Sequence, residues 1–293
     1  PNSPPVPMSV QVVERNQQVD KVVLKHVSGA TCEVRTLGAT VTSWVVQDRE
    51  RLFLSQKAVL NGTKAIRGGI PLVFPQFGQG PLMPGQHGFA RNLVWEYQGV
   101  TRADPEEVMV CFRLRDSAAT RASGWAHAFK LSYLVTLTAT TLGTHLAVTN
   151  IDKTAFRFTP LLHTYFATPD IKEVKIRGLQ GLNYTDKTAD NAVVYEDRAA
   201  LTFDGEVDRI YHGTPDQLLV VVSPPLDVIE VKSINFRDTV VWNPWIEKAQ
   251  AMSDFADDEY RHMFCVESGS VHEAVSLSPS QTWEAGQVLV IKE

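Results

Sequence analysis

The chain has 293 residues, of which 44% are hydrophobic and 21% are charged, and its formal net charge is −5. This composition is that of a folded globular protein and excludes a disordered chain. Lys and Arg form no basic run, so we expect no nucleic-acid partner. A few well-placed Arg side chains could still bind a small anion on an acidic protein.

The chain contains three widely separated cysteines, Cys32, Cys111 and Cys265. Their spacing matches neither a disulfide framework nor a zinc site, so we predict a reducing compartment and no bound metal. The apolar run 218–222 is far shorter than the ~20 residues of a membrane-spanning helix. We therefore expect a cytoplasmic protein that does not contact a membrane, and we expect a monomer because no long amphipathic helix suggests a partner surface.

Residues 1–8 are rich in proline and polar side chains, which predicts a flexible tail. Nothing along residues 9–293 indicates a linker, so we expect one domain there. Apolar residues at 131, 133, 135 and 137 alternate with polar ones, and a second β-rich run follows a turn at 140–144, which together predict a hairpin. Further strands are expected at 108–114, 193–195, 218–222, 228–234 and 288–291, with turns at 223–225 and 285–286, and one short helix is expected at 116–123.

This order of elements predicts an all-β fold, a sandwich of packed and mainly antiparallel sheets. One segment departs from the β pattern. Residues 67–78 and 86–91 are rich in Gly and Pro but also contain aromatic and Arg side chains. Because Gly and Pro impose special backbone angles, we interpret this segment as an ordered loop system, and such loops commonly bind ligands.

Two ionisable residues lie alone in apolar, strand-like runs. His163 follows Leu161 and Leu162, and Glu267 follows Val266. A buried imidazole or carboxyl group is costly unless it is paired or used, so each residue is a candidate for acid–base chemistry. Taken singly, either one is more often structural than catalytic, and only the two together favour a catalytic pair.

Five blocks in the sequence resemble the hexose-6-phosphate mutarotases, also called glucose-6-phosphate 1-epimerases, of the aldose 1-epimerase superfamily. They are Arg67-Gly68-Gly69-Ile70-Pro71, Phe74-Pro75-Gln76-Phe77-Gly78, His87-Gly88-Phe89-Ala90-Arg91, His163-Thr164-Tyr165-Phe166 and Cys265-Val266-Glu267-Ser268-Gly269. The resemblance implies a galactose mutarotase-like β-supersandwich, no cofactor and no metal. It also implies that the chain interconverts the α and β anomers of glucose 6-phosphate or related hexose 6-phosphates.

The resemblance further implies a role for each site residue. Glu267 would be the base that takes the proton of the C1 hydroxyl, and His163 the acid that protonates the ring oxygen. A carboxylate and an imidazolium in contact would each favour the other's charge. The substrate-binding residues implied by the resemblance are Arg67 and Arg91 for the phosphate, His87 and Asp208 for the sugar, and Gln76 for a further polar contact.

Three alternatives remain open from the residues. A non-catalytic carbohydrate-binding module would share the fold, but it would not need an acid–base pair. A glycoside hydrolase would need two carboxylates, for which Glu267 and Asp208 are the candidates. An aldose 1-epimerase acting on unphosphorylated sugars would not need two loop Arg residues. Trp242 or Trp245 could stack on a sugar ring or fill the core, and Asp254 and Asp257 could orient a loop.

Overall fold

The structure is a computed structural model that describes residues 8–223 and 227–292. Strands dominate it, and two short α-helices and three 3₁₀ turns lie between them. The first nine strands are β1 Ser9–Arg15, β2 Gln18–Lys25, β3 Thr31–Arg35, β4 Thr40–Val46, β5 Arg49–Glu50, β6 Leu72–Val73, β7 Glu96–Ala103, β8 Val108–Arg115 and β9 Phe129–Leu137. The helices are α1 Ala118–Ala122 and α2 Trp245–Ala251.

The remaining strands follow β9 in the chain. They are β10 Thr141–Asn150, β11 Phe156–Phe158, β12 Leu161–Leu162, β13 Tyr165–Ala167, β14 Lys175–Arg177, β15 Asn183–Asp186, β16 Ala192–Tyr195, β17 Val207–Tyr211, β18 Gln217–Ser223, β19 Asp227–Ile234, β20 Asp238–Asn243, β21 Met263–Gly269, β22 Val275–Leu277 and β23 Thr282–Lys292. The 3₁₀ turns span Ala90–Asn92, Ile171–Glu173 and Glu259–His262.

The strands form three large sheets and one two-stranded ribbon, and every pairing between these strands is antiparallel in the described part of the chain. A five-stranded sheet contains β1 to β5 in order. An eight-stranded scaffold sheet has the order β14-β18-β19-β23-β10-β9-β8-β7. A second eight-stranded sheet, here called the site sheet, has the order β16-β15-β17-β20-β21-β12-β6, with β13 also paired to β21. The predicted all-β sandwich of antiparallel sheets is therefore confirmed.

Burial patterns explain how the sheets stack. Strand β9 alternates buried and half-buried residues along its whole length, as expected for a strand with one face on the core. All seven residues of β21 are buried, so this strand is covered on both faces. Phe264 and Val266 of β21 join the main apolar cluster, whereas Met263 and Cys265 point to a smaller cluster on the opposite face. Glu267 shares that opposite face, because side chains alternate along a strand.

Most of the local predictions are confirmed. The hairpin is β9 and β10, although the turn lies earlier than predicted, because β10 already begins at Thr141. Ser117 caps helix α1 inside the predicted 116–123 segment. The predicted turn at 285–286 is wrong, since both residues lie inside β23. The missing Cβ of Gly286 instead lets the carbonyl oxygen of Thr144 approach, and a Cβ there would lie 2.5 Å from that oxygen.

Two predictions fall partly outside the described residues. Residues 1–7 of the predicted tail and residues 224–226 of the predicted turn at 223–225 are not described. Met8, the last residue assigned to the tail, packs against the apolar core. Helix α2 was not predicted at all. Among the described residues, no helix is long and apolar enough to cross a membrane.

Gly68 and Gly69 allow the segment before β6 to pass very close to its neighbours. Gly69 has a positive φ of 65°, and a Cβ on it would lie 2.0 Å from the carbonyl oxygen of Val41. Its own amide donates to Phe53, and its carbonyl accepts from the amide of Tyr165. These contacts fix the segment between β4 and the site sheet, so they also fix the position of the preceding Arg67.

We expect Gly69→Ala to destabilise the protein strongly, because the new methyl group would overlap a backbone carbonyl that cannot rotate away. Gly85→Ala is the matched control, since Gly85 also has a positive φ, of 90°, but a Cβ there meets nothing within 4 Å. Both variants should lose the ~1–2 kcal/mol that a left-handed conformation costs an L-residue. Urea denaturation should show a further loss of about 2 kcal/mol in Gly69→Ala alone. Equal losses would mean that the close approach is not tight.

Candidate active site

Strand register brings the predicted acid and base together. Strands β12 and β13 both pair with β21, with Leu162 opposite Ser268 and Tyr165 opposite Cys265. The same register continues across the gap between β12 and β13, and it places His163 directly opposite Glu267 on one face of the site sheet. Nδ1 of His163 lies 3.5 Å from Oε1 of Glu267. The structure thus joins two residues that are far apart in the chain.

Both side chains are buried, and both retain unsatisfied polar atoms. His163 is 7% exposed and Glu267 is 1% exposed. Nδ1 of His163 and Oε2 of Glu267 have no hydrogen-bond partner. A buried polar atom without a partner is costly, so natural proteins rarely keep two of them side by side without a use. A bound ligand with hydroxyl groups would satisfy both.

Burial shifts the pKa values of both members of this pair in the free protein. It lowers the pKa of His163 well below its ordinary value, and Arg91 and Arg67 lower that pKa further. Burial likewise raises the pKa of Glu267 well above its ordinary value, and Asp208 adds to the rise. The expectation that each group would favour the other's charge is therefore wrong for the free protein. Desolvation outweighs their mutual attraction and favours a neutral imidazole beside a protonated carboxyl group.

His163 and Glu267 open into a cavity of about 280 Å³. Its lining carries four cationic side chains and only two carboxyl groups, so the cavity is positive although the whole chain is negative. The lining residues are Arg67, Phe77, Gln86, His87, Arg91, His163, Lys187, Asp208, Val240, Trp242, Lys248, Met252 and Glu267. Six of the seven residues predicted for the site line this one cavity, and Gln76 does not.

Arg67 is held in place by hydrogen bonds to Asp254 and Tyr165. Its Nε and Nη2 each donate to Oδ1 of Asp254 at 3.3 Å, and its Nη1 donates to the hydroxyl of Tyr165 at 3.2 Å. Tyr165 and Asp254 raise the pKa of Arg67, so its charge is secure. The interpretation of Asp254 as an orienting residue fits this pairing. Asp257 instead is exposed and forms an ion pair with Lys57.

Arg91 lies in the 3₁₀ turn Ala90–Asn92 on the other side of the loop system. Its Nη2 donates to the carbonyl of Gln86 at 3.1 Å, and its Nε is buried without a partner. Burial lowers the pKa of Arg91 to about 10, and the neighbouring charge of Arg67 contributes to the decrease. Two adjacent guanidinium groups with free donors form a site that an anion would stabilise.

His87 lines the cavity, and its Nε2 lies 3.2 Å from the side-chain amide nitrogen of Gln86. Its φ of 65° is uncommon for a residue with a side chain, and Gly88 behind it passes within contact of the Phe74 carbonyl. Nδ1 of His87 accepts from the amide of Gly78 at 3.1 Å, so in the neutral ring the proton lies on Nε2. Burial and the charge of Arg91 lower the pKa of His87 well below its ordinary value, which keeps the ring neutral.

Asp208 lies on the same face of the site sheet as Glu267, on strand β17. Burial raises the pKa of Asp208, whereas Lys187 and Lys248 oppose the rise. Nζ of Lys248 lies 3.8 Å from Asp208 and 2.6 Å from Glu206. The sequence reasoning missed both lysines, because single Lys residues in polar segments look like ordinary surface charges.

Gln76 has a structural role instead of the predicted substrate contact. Its amide nitrogen donates to the carbonyls of Met83 and Gly85, and its amide oxygen accepts from the amides of Leu82 and Met83. These bonds use the whole buried side chain to close the loop at 78–85. This correction has a simple cause, since a Gln in a Gly-rich loop looks the same in sequence whether it binds a ligand or the loop backbone.

The two tryptophans have different positions. Trp242 lines the cavity from strand β20, and its ring centroid lies 6.0 Å from that of His163 in an edge-to-face arrangement. Trp245 packs against Tyr260, with ring centroids 5.2 Å apart, and does not line the cavity. Tyr165 was not singled out by sequence, yet its ring stacks on His163 with centroids 4.6 Å apart and an angle of 9° between the planes.

His163, Cys265 and Glu267 are the group of metal-ligand types found in the described part of the chain, with ligand atoms within 4.8 Å of one another. The surroundings disfavour a cation there. Arg67 and Arg91 lie close enough to perturb His163, and like charges repel strongly in a buried site. Burial also raises the pKa of the Cys265 thiol well above its ordinary value, which opposes the thiolate that a metal would need.

Comparison with known proteins agrees with this architecture. The family model described as aldose 1-epimerase matches residues 20–289. A candidate glucose-6-phosphate 1-epimerase from Cenchrus ciliaris is 35% identical over 93% of this chain and 85% of its own length. A protein of the same description from Salmonella typhimurium is 32% identical over 90% of this chain and 88% of its own.

The solved structure of YeaD from Salmonella typhimurium, described as a candidate mutarotase, superposes with a TM-score of 0.86. The two proteins are 28% identical, and the match covers 97% of each chain. The antiparallel β-sandwich is thus shared across the matched lengths. The chain belongs to the aldose 1-epimerase family, and its substrate class is accordingly a small sugar.

Proposed function

We propose that this protein interconverts the α and β anomers of hexose 6-phosphates, with glucose 6-phosphate as the first candidate, by opening and closing the sugar ring. The observation that supports this most is the direct opposition of His163 and Glu267 in a cavity that also presents Arg67 and Arg91. The names of the relatives from Cenchrus ciliaris and Salmonella typhimurium agree with this substrate.

In the proposed mechanism, Glu267 removes the proton of the C1 hydroxyl while His163 protonates the ring oxygen. The ring opens to the aldehyde, rotation about C1–C2 turns the carbonyl, and the two residues exchange roles as the ring closes on the other face. Both reacting oxygens are bonded to C1, so the acid and the base must be close neighbours. The 3.5 Å separation between His163 and Glu267 suits that requirement.

The remaining residues would position the sugar. Neutral His87 would donate through Nε2 to the ring oxygen or the C1 hydroxyl, and Asp208 would accept from sugar hydroxyls while Lys248 restrains it. Arg67 and Arg91 would bind the 6-phosphate, because guanidinium groups can engage phosphate oxygens in a bidentate manner. The proposal requires no cofactor.

The alternatives fit the cavity less well. A neutral sugar gives no reason to bury Arg91 next to Arg67 at the expense of a lowered pKa. A pure binding module gives no reason to keep two unsatisfied ionisable groups in contact. In a hydrolase the second carboxyl group would be Asp208, which instead interacts with Lys248.

Anomer-exchange NMR tests the proposal directly. Saturation transfer between the α and β C1 protons of glucose 6-phosphate should increase in proportion to protein concentration. Exchange of the glucose anomers under the same conditions should increase much less per protein molecule. If glucose exchanges as fast as its phosphate, the protein is an epimerase of free sugars, and if neither exchanges faster than in buffer, the proposed activity is absent.

A further inference from the structure

A continuous set of contacts connects the phosphate site to the catalytic ring. Arg67 donates from Nη1 to the hydroxyl of Tyr165 at 3.2 Å. Tyr165 lies two residues after His163 on the same face, and its ring stacks on the imidazole at 4.6 Å with an angle of 9° between the planes. A group that binds Arg67 is therefore separated from His163 by a single intervening side chain, that of Tyr165.

The charges of the two arginines also act on His163. Arg91 and Arg67 both disfavour a proton on His163 in the free protein, whereas the groups that perturb Glu267 are Asp208, Lys187 and Arg91. Arg67 lies on the imidazole side of the pair, since its partner Tyr165 stacks on His163. An anion on Arg67 would consequently favour a proton on His163 more than it would disfavour a carboxylate at Glu267.

The proton that His163 needs as an acid can come from the carboxyl group of Glu267. In the free protein, burial favours protonated Glu267 beside neutral His163, and this is the reverse of what ring opening needs. Oε1 and Nδ1 are 3.5 Å apart, only about 0.5 Å longer than an ordinary hydrogen bond. One proton can move from the carboxyl group to the imidazole without any other change, and this creates the carboxylate base and the imidazolium acid in one step.

We infer that the phosphate of a bound hexose 6-phosphate activates the His163–Glu267 pair in addition to contributing to binding. When Arg67 and Arg91 bind the dianion, the O–H bond of Glu267 breaks and an N–H bond forms at Nδ1 of His163, and Tyr165 transmits the contact as a positioning residue. This inference rests on the proposed function. It predicts that a phosphate supplied separately from the sugar accelerates the chemical step.

Several charged and titratable groups face the pair and set the background against which the phosphate acts. From strand β21 the neighbour is Cys265, from β17 it is Asp208, and from the loops they are His87, Arg67 and Arg91, with Lys187 at the turn after β15. Only the two arginines combine a perturbation of His163 with donors suited to a phosphate.

The test uses D-xylose, an aldopentose whose pyranose ring lacks C6 and so leaves space at the arginines, together with inorganic phosphite. Because phosphite itself speeds mutarotation in water, the quantity measured is the slope of the rate against protein concentration at each phosphite level. Glucose 6-phosphate turnover is recorded with the same protein preparation. Chloride at equal ionic strength is the control for general screening.

We expect the slope for xylose to rise roughly tenfold and to saturate with phosphite, since one pKa unit at His163 changes its protonated fraction about tenfold. The slope should not rise with chloride. An unchanged or falling slope, with glucose 6-phosphate still turned over, would overturn the activation and leave the proposed function standing. Absent turnover of glucose 6-phosphate would overturn the proposed function and, with it, the activation.

Tyr165→Phe tests the contact path, because it keeps the ring that stacks on His163 and removes the hydroxyl that Arg67 contacts. Tyr260→Phe is the matched control, since it removes a hydroxyl that accepts from Arg261 at 3.2 Å outside the cavity. We expect the ratio of slopes with and without phosphite to fall several-fold in Tyr165→Phe and to keep its wild-type value in Tyr260→Phe. The same ratio in both variants would contradict transmission through Tyr165.

Discussion

Glu267→Gln should reduce mutarotation of glucose 6-phosphate by about 10²–10⁴-fold, the range over which a positioned general base accelerates a reaction. The amide retains the shape of the carboxyl group but cannot accept the proton of the C1 hydroxyl. The loss should appear in kcat, because Arg67 and Arg91 would still bind the phosphate. Anomer-exchange NMR over a range of substrate concentrations separates kcat from KM.

The same variant should be more stable than the wild type. Burial raises the folded-state pKa of Glu267, so the unfolded chain gives up this proton at a lower pH than the folded protein does. Stability from this group is therefore complete below its unfolded pKa of about 4.3 and is lost as pH rises toward the folded pKa. Glutamine cannot ionise, so we expect Tm to increase by about 2–4 °C near neutral pH. The increase should be larger at about pH 8 than at about pH 5.

Glu259→Gln is the matched control for both effects. Glu259 is also buried, but its carboxylate accepts from the Ser55 hydroxyl and from the amides of Gln56 and Ala256. Because each acceptor is used and the residue lies outside the cavity, this variant should lose stability and keep its activity. A Glu267→Gln protein with wild-type kcat would remove the base assignment, and one with a lowered Tm would mean that the carboxyl group is satisfied in the folded state.

Much of the fold was predictable because its signal is local. The alternation of apolar and polar residues that defines β9 is visible in the sequence. Ser117 is a residue type that favours the N-cap position, which it occupies at the start of α1. Helix α2 was missed because Asn243, whose side chain accepts from the amide of Trp245, is itself oriented by tertiary contacts. Its amide nitrogen donates to the carbonyls of Tyr260 and Met263. Gly286 was mistaken for a turn residue because its role is to admit the neighbouring strand, and a partner strand leaves no trace in the local sequence.

For the site, sequence could identify unusual residues but not their charge state. His163 and Glu267 stand out as polar residues in apolar runs, whereas Lys187, Lys248 and Tyr165 look ordinary where they occur. Lys187 reaches the cavity from an exposed turn, with its ammonium group 5.5 Å from the centre of the Phe77 ring. The pKa shifts of the pair could not be predicted either, since they follow from desolvation by the surrounding strands and, for His163, from two arginines in another part of the chain.

Arg91→Ala should raise KM for glucose 6-phosphate by roughly 10–100-fold and change KM for glucose by less than about threefold. The estimate follows from the ~1.5–3 kcal/mol that a hydrogen bond to a charged group contributes, at about 1.4 kcal/mol per factor of ten. Arg91 should show the larger phosphate-specific effect of the two arginines, because it donates to the carbonyl of Gln86 while its Nε is unsatisfied. Arg67 already donates from Nε, Nη1 and Nη2 to Asp254 and Tyr165.

Removing Arg67 requires a different design, because Arg67→Ala alone would leave the buried carboxylate of Asp254 without its partner and would destabilise the protein. The double variant Arg67→Ala with Asp254→Ala removes both charges, so a loss of affinity for glucose 6-phosphate can be separated from unfolding. Arg102→Ala, which removes an exposed β7 arginine paired with Asp104, is the control for the loss of one positive charge in Arg91→Ala. If the arginine variants weaken glucose and glucose 6-phosphate equally, neither guanidinium binds the phosphate, and the positive cavity serves the sugar ring itself.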